Sequence, residues 1–346
     1  MSLARPISET SYRVGIVGAG GYTGIELCRL LLAHPYSRIE ALFAKSQAGQ
    51  IFSDIYPQFL GILDLVLEPV SLDRLRGLDV VFLALPHGES QSLVKALWKS
   101  KVKVIDLSAD FRLKDAQTFA HHYGSEHSAP ELLGEIPLGL PERYADDIRG
   151  AQTVACPGCY STSVMLGMGP LAMSGLIVGD VLVDAKSGVS GAGRGLKTGS
   201  LFCEVADGFS AYGTGTHRHQ PEMEQVLGLP VFFSPHLVPM SRGILASMYV
   251  TLREPLDFQT LRQMYLDMYQ EQPFIQLLPE GARPTTKTVF GSNRCAISIV
   301  PFGSRVVVFS AIDNVIKGAS GQAIQCMNLM LGVPQETGLQ AVSPYL

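Results

Sequence analysis

The chain has 346 residues, 47% hydrophobic and 17% charged, with 27 basic against 31 acidic side chains for a net charge of −4. That composition supplies a large core, in one large or two medium domains. It offers no basic stripe for nucleic acid, no apolar run long enough to span a membrane and no apolar targeting core at the N-terminus. The six cysteines (28, 156, 159, 203, 295 and 326) are scattered rather than framework-spaced, which suits reduced thiols in the cytoplasm.

The first element, YRVGIV at 12–17, is a short β-branched run ending in glycine, the pattern of a buried parallel strand. The segment GAGGYTGIELCRLLLAHP follows, with Ile25, Leu27, Leu30 and Leu31 at helical intervals and an end at His34-Pro35. A second strand, RIEALFA, comes next. Strand, glycine turn, helix and strand make the first unit of a doubly wound α/β sheet. In the turn, Gly18, Gly21 and Gly24 give G-x-x-G-x-x-G, with Gly20 extra and Tyr22 and Thr23 between. A glycine turn alone is only a tight connection; between a strand and a helix, its amides can hold a pyrophosphate.

The end of the second strand bears on the dinucleotide. A carboxylate there would bond the ribose 2′-hydroxyl of NAD, but the sequence offers Ala44-Lys45-Ser46-Gln47. Lys45 and Ser46 suit a 2′-phosphate and point to NADP(H); the competing role for Lys45 is a solvated loop lysine. Two further strands, DVVFLALP at 79–86 and KVKVIDLSAD at 101–110, leave His87, Gly88 and Ser90, then Ser108, Asp110 and Arg112, past their carboxyl ends. Ligands bind at that edge of open α/β sheets. Arg112 either clamps a phosphate or carboxylate or pairs with Asp110.

The centre carries the chemistry. TVACPGCYSTS starts as a strand, breaks at Pro157-Gly158 and resumes as a helix, placing Cys159 at a helix N-terminus, where a thiolate is favoured. Cys156 and Cys159 also form C-x-x-C, but no second pair completes a zinc ribbon, and a redox dithiol does not fit a dinucleotide fold upstream. KSGVSGAGRGLKTG at 186–199 fails the Walker pattern and reads as a glycine-rich loop passing close to a ligand. His217 and His219 have the i, i+2 spacing that puts both on one side of an extended segment. No nearby Asp, Glu or Cys completes a metal set, so no metal is expected; one histidine suffices as acid/base beside a thiolate, and spacing does not say which.

The blocks VGAGGYTG (17–24), ALPHGES (84–90), IDLSADFR (105–112), PGCYST (157–162), KSGVSGAGR (186–194), HRHQPE (217–222), PHLVPMSRGI (235–244) and DNVIKGASGQAIQ (313–325) occur in order along nearly the whole chain. With them the chain resembles the N-acetyl-gamma-glutamyl-phosphate reductases, relatives of aspartate-semialdehyde dehydrogenase in arginine biosynthesis. The resemblance implies an α/β fold with an N-terminal Rossmann-type NADP domain (1–157) and an α+β, glyceraldehyde-3-phosphate-dehydrogenase-like catalytic domain (158–315) whose sheet builds a homodimer or homotetramer. A C-terminal segment (316–346) would return a helix to the first domain. It makes Cys159 the nucleophile that turns an acyl phosphate into a thioester for reduction by NADPH, releasing inorganic phosphate. His219 would be the acid/base with His217 nearby. Arg112 would hold the leaving phosphate and Arg242 the substrate carboxylate, with Ser108 also binding substrate, and Ser187, Gly188 and Asn314 would lie beside the nicotinamide.

Three positions depart from that pattern: Cys156 stands where the family usually has asparagine, Ser161 where it has proline, and Leu138 where it has tyrosine. Cys156 could then form a reversible disulfide with Cys159. Carrier-linked aminoadipyl-phosphate reductases are the nearest rival reading. A non-catalytic NADP-sensing protein is the rival from another class, although such a protein would have lost the cysteine or the histidines.

Overall fold

The computed structural model describes residues 11–344; the first ten residues, read as carrying no targeting core, and the last two lie outside the described residues. The chain divides into two units. One holds the described residues up to Lys114, His127–Cys156 and Ser320–Leu339; the other holds Asp115–Glu126, Pro157–Ala319 and the residues from Gln340.

The first unit is built on a six-stranded sheet of β1 (Tyr12–Val17), β2 (Ser37–Phe43), β3 (Leu67–Glu68), β4 (Val80–Leu83), β5 (Lys103–Asp106) and β6 (Thr153–Ala155). All neighbours are parallel, in the order β3-β2-β1-β4-β5-β6. The order reverses between β1 and β4, the switch point where doubly wound sheets open a crevice for a ligand. Val14, Ile16, Leu42, Phe43, Phe82, Leu83 and Val104 are buried in the sheet, as β-branched and aromatic runs in a doubly covered sheet should be. The helix after the glycine turn, Tyr22–Leu32, contains the whole apolar pattern from Ile25 to Leu31, and residues 18–21 form the turn itself. The helix Gly321–Met330 packs against the helices Tyr22–Leu32 and Pro141–Gly150 and against β5, with every residue buried. A single π-helical turn, Ile316–Ser320, precedes it.

The second unit carries a mixed seven-stranded sheet of β7 (Ile177–Gly188), β8 (Ser210–Ala211), β9 (Val231–Val238), β10 (Ile244–Leu252), β11 (Ile275–Leu277), β12 (Cys295–Phe302) and β13 (Arg305–Ile312). Its order is β11-β12-β13-β10-β7-β9-β8. The helix Cys159–Ser174 packs against β7, β10 and β13 and is buried nearly end to end. Pro170 lies inside this helix and cannot donate to the Leu166 carbonyl. The Tyr269 hydroxyl donates to that carbonyl at 2.8 Å, and the Tyr265 hydroxyl to the Gly167 carbonyl at 2.6 Å. The sheet's other face leaves Phe232 57%, Leu182 48% and Tyr249 42% exposed. Register sets these three side by side across β9, β7 and β10.

Candidate active site

Cys159 is the first residue of its helix, and Gly158 is the N-cap with extended dihedrals and no side chain to cap with. The first helical N–H groups have no intrahelical acceptor, so this end of the helix favours an anion at Cys159. Thr162 closes the first turn, its amide and hydroxyl both donating to the Gly158 carbonyl. The thiol is partly accessible, whereas the residues flanking it are buried.

His219, the N-cap of the helix Gln220–Leu227, reaches the same spot. A Cβ on Gly158 would lie 2.2 Å from His219 Nε2 and 2.5 Å from its Cε1. The imidazole therefore rests directly on the Gly158 backbone, beside the nucleophile. Only a residue without a side chain admits it there. Gly318 makes a second close approach: its Cβ would lie 2.6 Å from Cys159 Cβ.

His217 does not lie in an extended segment with His219, as the i, i+2 spacing suggested. Residues 214–219 turn, and His219 is the N-cap of the helix Gln220–Leu227 with helical dihedrals. The turn brings the two rings to 4.7 Å between centroids, and His217 Nδ1 accepts the His219 backbone N–H at 3.1 Å. Around the His217 ring stand three aromatic rings: Tyr160 at 5.6 Å, Tyr212 at 5.7 Å and Phe233 at 5.3 Å. Burial, reinforced by His219 and Arg218 and opposed by Glu222, pushes the His217 imidazole down to about 3, so it is neutral at physiological pH. Beside it the Tyr212 hydroxyl donates to Tyr160 Oη and the Tyr160 hydroxyl to the His236 carbonyl. Burial raises both phenols, Tyr212 to about 12, so neither supplies charge near Cys159.

In the first unit the glycine turn sits at the carboxyl end of β1. Gly18 has φ +84°, and its Cβ would meet the Ala84 carbonyl oxygen at 2.3 Å. The Cβ of Gly24 would meet the Gly18 carbonyl oxygen at 2.4 Å and Ala19 Cα at 2.7 Å, so helix and turn pack backbone on backbone. Gly21 has no such clash and leads into the helix that begins at Tyr22 and Thr23. The Tyr56 hydroxyl donates to the Gly20 carbonyl, and Gln47 Oε1 lies where a Gly20 side chain would be. Lys45 and Ser46 are exposed just past β2, with no carboxylate at the strand end. These residues fit a dinucleotide: the turn leaves a side-chain-free cradle at the switch point, and the strand end suits a 2′-phosphate.

Comparison with known proteins bears on the same residues. Residues 13–151 match the family model described as the semialdehyde dehydrogenase NAD binding domain, and residues 159–314 match the semialdehyde dehydrogenase dimerisation domain. The N-acetyl-gamma-glutamyl-phosphate reductase of Desulfotalea psychrophila is 46% identical over 341 residues, spanning 95% of this chain and 98% of that protein. That of Symbiobacterium thermophilum is 47% identical over 342 residues, spanning 96% and 98%. The chain belongs to the semialdehyde dehydrogenase family. Within it, the chain groups with the N-acetyl-gamma-glutamyl-phosphate reductases, and it is an oxidoreductase. Solved structures share the fold at low identity. Aspartate semialdehyde dehydrogenase II of Vibrio cholerae, complexed with ASA, gives a TM-score of 0.70 at 17% identity over 94% of this chain and 99% of that one. The Candida albicans aspartate semialdehyde dehydrogenase with NADP gives 0.69 at 16% over 93% and 99%.

The remaining sequence candidates fall into two groups. In the first unit, Arg112 is nearly buried and donates from Nε to the Cys156 carbonyl at 2.7 Å and from a terminal nitrogen to the Leu107 carbonyl at 2.9 Å. It thereby holds the strand end that leads to the nucleophile. Ser108 is buried, its hydroxyl bonded to Asp106 and Ser90 and accepting the Asp110 amide. Asp110 accepts the Gly88 and Ser90 amides, so this cluster braces the loop after β4. Burial, with Asp110 adding, raises Asp106 to about 6 against the opposing Ser108 and Ser90 hydrogen bonds.

In the second unit, Arg242 pairs with the buried Asp313 at 3.2 Å, and the Asn314 side chain accepts the Gly243 amide and donates to Ser190. Ser187 donates to the Gly188 carbonyl, and a Gly188 Cβ would meet the Met240 carbonyl oxygen at 2.7 Å. Cys156 is a buried thiol whose amide donates to the Asp106 carbonyl. Glu222, Tyr160 and Gln47 were not singled out from the sequence. Glu222 was in view only as the last letter of HRHQPE.

Proposed function

We propose that the chain catalyses the NADPH-dependent reductive dephosphorylation of N-acetyl-gamma-glutamyl phosphate to N-acetylglutamate semialdehyde, a step of arginine biosynthesis, through a thioester on Cys159. The observation that carries this reading is the pairing of Cys159, first in a buried helix, with a His219 imidazole resting on the glycine before it. His219 takes the thiol proton as sulfur attacks the acyl carbonyl. The C–O bond to phosphate then breaks, and the departing phosphate takes up a proton. Arg112 serves that phosphate, and Arg242, held by Asp313, serves the substrate carboxylate. NADP(H) binds at Gly18, Gly20, Gly21 and Gly24 with Lys45 and Ser46 toward the 2′-phosphate, and when bound it supplies the hydride. The tetrahedral oxyanion on Cys159 is stabilised by amides of the helix start and collapses to the aldehyde, expelling the thiolate. His219 is the acid/base because its ring lies at the nucleophile; His217, neutral and holding the His219 backbone, supports it.

The exposed row of Phe232, Leu182 and Tyr249 supports a homodimer built on the second sheet. All six cysteines are free thiols, which supports a reducing, cytoplasmic setting. Among the described residues no helix is long and apolar enough to cross a membrane. The test runs the reaction backwards, as phosphate-dependent reduction of NADP with N-acetylglutamate semialdehyde. Turnover that requires phosphate and disappears in Cys159→Ser, while NADPH still binds, is expected. Phosphate-independent turnover, or turnover retained by Cys159→Ser, would overturn the covalent route.

A further inference from the structure

We propose that Glu222 is a positioning residue for the nucleophile, acting through the Gly158 amide; the inference rests on Cys159 being the reactive thiol. Glu222 is 0% exposed, and its Oε2 accepts the Gly158 N–H at 2.9 Å, across 64 positions of sequence. A glutamate three residues into a helix ordinarily reaches back to its own N-cap amide. Glu222 stands at that position, with His219 as the N-cap, yet its carboxylate goes to a different helix. The His219 amide is instead taken by His217 Nδ1. One cap is diverted to the nucleophile's helix and the other is supplied by His217, so that one short segment, His217 to Glu222, holds both reacting groups. His217 fixes the backbone of His219, and Glu222 fixes the peptide between Pro157 and Cys159.

The N-cap glycine carries no side chain, and the His219 ring occupies that space. Without an outside acceptor the Gly158 amide would be a buried unsatisfied donor, and the Pro157–Gly158 peptide would lose the bond that fixes it ahead of Cys159. The bond also takes this N–H out of competition for anions. The sulfur and the oxyanion are left to the amides of Cys159 and the residues after it. The carboxylate thus has a geometric function: it must supply an acceptor at one point.

The experiment separates acceptor, charge and reach. Glu222→Gln keeps the length and an acceptor oxygen but loses the charge; Glu222→Asp keeps the charge but withdraws it by about one bond length, ~1.5 Å. Both are measured for kcat and KM in the phosphate-dependent assay, and for the rate of Cys159 alkylation by iodoacetamide, which needs no substrate. Glu222→Gln is expected to keep kcat within about threefold of wild type. Glu222→Asp is expected to lose about tenfold or more in kcat with KM values within twofold, and to change the alkylation rate. Full activity in Glu222→Asp with loss in Glu222→Gln would make the charge decisive and overturn the proposal. Equal loss, or equal retention, in both variants would overturn it as well. If wild type shows no phosphate-dependent turnover, the reading of the reaction fails; the alkylation rates still decide whether Glu222 positions Cys159.

Discussion

Gly158→Ala isolates the contact between His219 and the nucleophile's helix. The new Cβ would stand 2.2 Å from His219 Nε2, 2.5 Å from Cε1 and 2.6 Å from Cδ2. Ordinary contact begins near 3.4 Å, so the ring must retreat by about 1.2 Å. The backbone itself accepts alanine, since Gly158 has φ −66° and ψ 155°. The loss at this N-cap is therefore about 1 kcal/mol or less, a shift of roughly 2–4 °C in Tm. A displacement of that size at a reacting group costs about 100-fold, or ~2.7 kcal/mol of transition-state stabilisation. The variant should fold, bind NADPH as wild type does and lose about two orders of magnitude in kcat in the phosphate-dependent assay. Activity within threefold of wild type would refute the assignment of His219 to the reaction. A fall in Tm of more than 10 °C would show instead that the His219 ring is a packing element of the core.

The glycines of the turn separate in the same way. Gly24→Ala drives a Cβ to 2.4 Å from a backbone carbonyl, whereas Gly21→Ala meets nothing nearer than 3.6 Å. NADPH titration by fluorescence should show at least tenfold weaker binding for both, with a fall in Tm for Gly24→Ala alone; wild-type affinity in both would refute the backbone cradle. His217 has a folded value near 3 against an ordinary 6.5, so between those values the unfolded chain takes up a proton that the folded chain refuses. Its contribution to stability is intact above about pH 6.5 and is lost as pH falls toward 3. Asparagine at 217 keeps an acceptor for the His219 amide without titrating. The urea midpoint of His217→Asn should fall less than that of wild type between about pH 7 and about pH 4.5, and an equal or larger fall would refute the buried neutral imidazole.

What the sequence made legible was local. β1 begins at Tyr12 and ends at Val17 in the structure as in the pattern, because a β-branched run bounded by a glycine turn has few alternatives. Pro157-Gly158 broke a strand and opened a helix, which put Cys159 at its helical position without any tertiary information. What stayed hidden depends on contacts between distant segments. Nothing in HRHQPE says that Glu222 serves an amide 64 positions earlier. The i, i+2 spacing of the histidines puts both on one side of the chain only where the segment is extended. The turn at 214–219 appears only once Tyr160, Tyr212 and Phe233 close around His217. Ser108 had the right chemistry to hold a ligand, but the Asp106 carboxylate, the Ser90 hydroxyl and the Asp110 amide claim its hydroxyl. A sequence shows which residues have reactive groups, whereas their spare valences depend on the packed neighbours.

The sulfur of Cys159 is thus flanked by two glycines whose absent side chains serve different ends, and substitution at each should fail differently. At Gly158 the obstructing atoms belong to a ring that can swing away. At Gly318 a Cβ would lie 2.6 Å from Cys159 Cβ and 3.2 Å from Cys159 Cα, so the obstruction is the start of the nucleophile's own helix. That helix cannot yield alone, because it is buried against β7, β10 and β13 along most of its length. Nor is the π-helical turn that carries Gly318 free to shift, since the Asp313 carboxylate accepts the amides of Val315 and Ile316. Overpacking between two such backbones costs about 1–3 kcal/mol. Gly318→Ala should therefore lower Tm by several degrees and slow Cys159 alkylation, even though no reacting group has been replaced. Gly158→Ala should lower Tm by no more than about 2–4 °C and act mainly on turnover. If the two variants behaved alike in both assays, the nucleophile would not be held by backbone on one side and served by a mobile side chain on the other.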